Sequence, residues 1–147
     1  MKYIFLLVIV TMVSCKAQKE NKAQESSDFV LLAKDDYSGI QEYEIGIIRD
    51  QKSLNKFYSR VNKTRKPGLP VPIVDFSKEM LIVVCMGGRF GDPKLAITEE
   101  SDSEMNVALQ LEPFPKSDVT TTVITSPFYL YKTALTAKKV SVNKEGW

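Results

Sequence analysis

Met80-Leu81-Ile82-Val83-Val84-Cys85-Met86 is an unbroken apolar run, set between Asp75-Phe76-Ser77-Lys78 and Gly87-Gly88. Side chains alternate between the two faces of a strand, so a strand can be apolar throughout only if both faces are covered. The run therefore predicts a strand inside a sheet with a layer on each side. Cys85 has only apolar neighbours and reads as a buried, inert thiol, because a reactive one needs polar or basic surroundings.

Upstream, Phe29-Val30-Leu31-Leu32-Ala33 reads as an opening strand and Asp35-Asp36-Tyr37-Ser38-Gly39 as a turn. Tyr43, Ile45 and Ile47 alternate with Glu42, Glu44 and Gly46, the period of a half-buried strand. Asp50 is placed to cap a helix on which Leu54, Phe57, Tyr58 and Val61 form one stripe. That helix must stop before Pro67. Pro67-Gly68-Leu69-Pro70-Val71-Pro72 has some similarity to a recognition peptide, and it reads as a stiff, extended crossover.

Downstream, Leu95 and Ile97, then Val107, Leu109 and Leu111, point one way across a predicted hairpin closed by Ser101-Asp102-Ser103. Val119–Thr125 and Phe128–Ala134 are β-rich stretches, and Lys139–Val142 is a short terminal strand. The expected fold is α+β: a curved antiparallel sheet or small β-sandwich with one main helix packed against it.

The N-terminus supplies an address. Lys2 precedes Ile4–Val13, an apolar stretch far shorter than the roughly 20 residues that span a bilayer. Met12-Val13-Ser14-Cys15 resembles the lipobox of bacterial lipoproteins, in which the chain is cut before the cysteine and its thiol takes a diacylglycerol. Residues 1–14 are then a lipoprotein signal peptide. Residues 15–28 are the lipidated Cys15 with a flexible tether, since Lys16–Asp28 has no apolar residue larger than Ala. A single domain fills 29–147. Lipidation would also remove the one partner with which Cys85 could form an internal disulfide. The expected location is the outer membrane, on its periplasmic or its cell-surface side.

The formal net charge of +2 gives no argument for a nucleic-acid partner. Absence of histidine removes Ser-His-Asp and Cys-His nucleophiles and most zinc sites. Asp35/Asp36, Glu99/Glu100 and Asp102/Glu104 fall in turn-like segments and read as solvated loop charge. No cofactor, metal or enzymatic activity is expected. The Arg60, Lys63, Arg65, Lys66 cluster complements the negative end of the helix. Gly87-Gly88-Arg89-Phe90-Gly91-Asp92-Pro93 follows a strand but precedes another strand, so it lacks the helix N-terminus of a phosphate loop and reads as a bulged reversal.

Pro72-x-x-Asp75-Phe76-Ser77-Lys78 entering the apolar run, Gly87-Gly88-Arg89 leaving it, Lys94-Leu95-Ala96-Ile97, and later Ser126-Pro127-Phe128-Tyr129 together resemble the C-terminal domain of the PrcB family over about Tyr43–Val142. The glycines depart from that family's pattern, with Gly87-Gly88 early and Gly91-Asp92 where a second pair would stand. The resemblance implies a lipoprotein that stabilises a secreted subtilisin-like protease complex. The expected function is a membrane-anchored protein-binding domain for an exported partner, with Arg89, Phe90, Asp92, Tyr129 and Tyr131 as contact residues. The alternative is a small-ligand or glycan-binding module built on Tyr37, Tyr43 and Tyr58.

Overall fold

A computed structural model of the chain describes residues 28–89, 91–112 and 125–145. The signal segment, Cys15, the tether up to residue 27, Phe90 and most of the 119–125 stretch lie outside the described residues.

Among the described residues, seven strands and one α-helix form three layers. The first sheet holds β1 (Val30–Asp35), β2 (Glu44–Ile48), β3 (Glu79–Cys85) and β6 (Phe128–Ala134) in the order β1-β6-β3-β2, antiparallel throughout. The second holds β4 (Asp92–Glu100), β5 (Glu104–Glu112) and β7 (Lys139–Glu145) in the order β4-β5-β7. Among the described residues no helix is long and apolar enough to cross a membrane. The α+β sandwich with one helix is thus observed, with one correction to the antiparallel expectation. β7 runs parallel to β5, from Glu104 opposite Lys139 to Gln110 opposite Glu145.

The apolar run explains the layering. Leu81, Val83 and Cys85 face α1 (Gln51–Val61), while Met80, Ile82, Val84 and Met86 face the second sheet. β6 repeats the pattern: Phe128 and Leu130 turn toward the helix, Tyr129 and Tyr131 toward the second sheet. Both cores are therefore built on the same two inner strands, each buried on both sides.

The helix meets its sheet through the expected stripe, Leu54, Phe57, Tyr58 and Val61. Asp50 caps it, accepting from the Ser53 amide at 2.8 Å, and the Ser53 hydroxyl donates to its other oxygen at 2.8 Å. Arg60 does not simply complement the helix end. Its guanidinium makes a two-pronged bond to Glu44 on β2, at 2.9 and 2.7 Å, which holds the Glu44 carboxyl below its usual range. Arg65 donates to the Asp35 carboxylate at the end of β1 and to the Tyr37 carbonyl. The basic cluster is thus partly spent on clamping the helix layer to the sheet.

The chain crosses from the first sheet to the second at Met86–Asp92. Arg89 donates its amide to the Met86 carbonyl at 3.2 Å, closing a turn that needs positive φ at Gly87. Gly87 has φ +60°, and a Cβ there would lie 2.5 Å from the Gln41 carbonyl oxygen. Gly87→Ala is expected to cost at least about 2 kcal/mol, since left-handed strain and a backbone clash add. Thermal melting checks this; an unchanged midpoint would show that the reversal relaxes freely.

Candidate functional site

The sheet-to-sheet crossing gathers four of the five sequence-predicted contact residues, Arg89, Asp92, Tyr129 and Tyr131, at one end of the sandwich, but it uses them differently. Arg89 is exposed, on the turn closed by Gly87 and Gly88. Its guanidinium carbon lies 5.9 Å from the centre of the Tyr43 ring, and the Lys144 ammonium lies 3.8 Å from that centre. Tyr43 therefore receives cations from the β3 exit and from β7, which ties the β2 edge to the second sheet. Burial pushes the Tyr43 hydroxyl up to about 12, with Arg89 opposing the shift.

Tyr129 and Tyr131 are not surface contacts. They are 5% and 7% exposed, and both point between the sheets. The Tyr129 hydroxyl donates to Asp92 at 3.0 Å, with the Gly91 carbonyl at 3.4 Å, while the Tyr131 hydroxyl donates to the Pro93 carbonyl. A buried phenol must place its O–H on an acceptor, and the start of β4 supplies three. Asp92 is half-buried and is engaged by that hydroxyl. Burial first pushes both tyrosines far above their ordinary range, followed by the hydrogen bond to Asp92 for Tyr129 and by the Asp92 charge for Tyr131. Their bonds tie β6 to the start of β4. Of the four described candidates, Arg89 alone is fully on the surface.

The tyrosine linkage has a definite sign. Tyr43, Tyr58, Tyr129 and Tyr131 all have hydroxyls raised above 10.0, the last two also through Asp92. Their contribution to stability is complete below pH 10 and is lost as pH rises through the folded values, from about 12 upward for Tyr43. These four are expected to ionise together with loss of the far-ultraviolet circular dichroism signal. Absorbance at 295 nm across an alkaline titration checks it; ionisation near pH 10 with the fold intact would refute the staple.

Tyr37, Tyr43 and Tyr58 do not line one pocket. Tyr58 is in the helix-side core, Tyr43 packs on the opposite core, and Tyr37 is exposed beyond β1. The paired carboxylates also part company. Asp35 goes to Arg65, Glu100 to Lys138 at 2.9 Å and Glu104 to Lys139 at 3.6 Å. Among the described residues no group of three or more acids and cysteines is placed to hold a metal ion. Cys85 is buried with its thiol pushed up to about 12, chiefly by burial and then by Glu44, matching the inert reading.

Sequence reasoning passed over Ile73, which stands almost wholly in water at 99% exposure. Leu69 to Val74 is apolar at every position, so no polar neighbour marks which side chains turn outward. No family model, curated protein or solved structure matches the chain.

Proposed function

We propose that the protein is a lipid-anchored, non-enzymatic domain of the outer membrane that binds and stabilises or assembles an exported protein, a protease being the partner class that the PrcB resemblance implies. The observation that carries this reading is the braced presentation of Arg89. The residue is exposed on the Gly87 turn, closed by its own amide onto the Met86 carbonyl, and the Tyr129–Asp92 and Tyr131–Pro93 bonds hold the start of β4 beyond it. A pre-formed loop binds without first losing loop freedom, and arginine is among the residues that dominate interface energies. The lipobox-like Met12–Cys15 supplies the anchor in this reading.

The test is a pull-down of native, detergent-solubilised protein. A stoichiometric exported partner is expected, with recovery falling at least tenfold for Arg89→Glu, a substitution at an exposed position. No stoichiometric partner, or one indifferent to Arg89, would overturn the proposal.

A further inference from the structure

Six large apolar side chains are exposed among the described residues, and they are not spread evenly. In the first sheet Val30 pairs with Lys132 and Glu79 with Ala134, so β1 starts, β3 starts and β6 finishes at one end. Val30 (52% exposed), Leu31 (44%) and Leu135 (41%) stand at that end, with the Leu135 amide donating to the Lys78 carbonyl at 2.7 Å. Ile73 (99%) and Val71 (38%) lie on the crossover that leads to it, where the Asp75 carbonyl accepts from the Glu79 amide at 2.9 Å. Of the six, Tyr37 alone lies past the opposite end, where Asp35 and Cys85 pair with Phe128. Arg89 stands past that opposite end too, beyond Cys85.

One exposed apolar side chain needs no explanation, but a concentration of them at one end does. Residues 16–28 enter the domain at this same end, and even fully extended they reach at most about 45 Å from Cys15. They hold no apolar residue larger than Ala, so they have no apolar surface with which to cover the exposed side chains. A diacylglycerol on Cys15 would keep this end within reach of a bilayer. Attachment makes the encounter intramolecular, and contacts too weak to hold a free domain then suffice.

We propose that the end of the sandwich carrying Val30, Leu31, Ile73 and Leu135 seats in the apolar layer of a phospholipid bilayer, and so turns Arg89 away from the membrane. This deepens the lipid-anchored reading and rests on it for the acylated Cys15. The side chains leave the body in different directions. Val30, opposite Lys132, is on the helix side of its sheet, and Leu31, opposite Tyr131, is on the other. They form no flat patch for a rigid protein or a second copy to cover, whereas lipid conforms to each. Nearby carboxylates are engaged: Glu79 by Lys132 at 2.8 Å, Asp75 by Lys78 at 3.4 Å and Glu100 by Lys138 at 2.9 Å. These acids are not driven unpaired toward the acyl chains, and lysine stems can lie along the chains with the ammonium among the headgroups. The seat is apolar and does not depend on anionic lipid.

The test uses the native, acylated chain in phosphatidylcholine vesicles, with Trp147→Phe removing the one tryptophan so that single reporters can be placed. Acyl chains brominated near the headgroup are expected to quench Ile73→Trp and Leu135→Trp about threefold or more, and to leave Tyr37→Trp unchanged. Adding phosphatidylglycerol should alter none of these. Ile73 stands in water, so its variant loses no packing, and circular dichroism matching the parent confirms the others. Unquenched reporters at 73 and 135, equal quenching at 37, or quenching that requires phosphatidylglycerol overturns the proposal. Self-association in sedimentation that Ile73→Asp with Leu135→Asp abolishes, without quenching, assigns this end to a second copy. Recovery of an exported partner that the same pair abolishes, again without quenching, assigns it to a protein. Either result overturns the seat. Intact mass separates the seat from the anchor. A diacylglycerol on Cys15 with unquenched reporters removes the seat and leaves the anchor, and a chain without that lipid removes both.

Discussion

Phe128→Ala is expected to destabilise the domain by about 3–5 kcal/mol, the range for deleting a buried aromatic ring. Phe128 is 1% exposed on an inner strand, paired with Asp35 of β1 and Cys85 of β3. Its ring meets Phe57 edge-on at 5.3 Å between centres and Tyr58 at 6.3 Å, and Phe57 and Tyr58 meet each other at 5.6 Å. Removing it deletes two of three aromatic contacts and leaves a cavity where helix and sheet meet. A domain stable by the ordinary ~5–15 kcal/mol would lose a large part of its margin. Phe128→Leu keeps most of the volume and is expected to cost far less, about 1.5 kcal/mol. Urea midpoints at constant slope check both; equal midpoints for the two variants would show that the ring trio does not hold the layers.

Cys15→Ser is expected to move the protein from the membrane fraction to the soluble one, a change in partition ratio on the order of 100-fold or more. One acyl chain gives only marginal attachment, whereas a diacylglycerol brings two. Serine keeps the size of the side chain and loses the nucleophilic sulfur that forms the thioether. Fractionation followed by a carbonate wash reads the outcome. Retention of the variant in the washed membranes would remove the anchor from the proposed function while leaving the folded domain as described.

The main elements were legible because each rests on a local rule. The run Met80–Met86 announced two covered faces, and both cores are built on it. The stripe from Leu54 to Val61 and the Asp50 cap needed only helical spacing. The hairpin of β4 and β5 needed alternation and a polar connection. Direction was not legible. Val140 and Val142 alternate with Ser141 and Asn143 whichever way β7 points, and only its long-range pairing makes it parallel. The tyrosines were misplaced for a related reason. Phe128 to Tyr131 is a second all-apolar run, and the rule applied to Met80–Met86 would have buried it on both faces too. Arg60 and Arg65 found acids distant in sequence, a choice that charge spacing cannot encode.

The place of β1 at the margin of its sheet has a mechanical meaning. Any pull delivered from the N-terminal side of the domain enters at Val30, on a strand that among the described residues is laddered to β6 alone. Peeling that strand would leave β6, β3 and β2 paired and both cores nearly whole. The far end is braced, because Arg65 grips Asp35 where the strand finishes. β1 is thus the strand that tension from the N-terminal side would load first, at the end away from the Arg65–Asp35 bond.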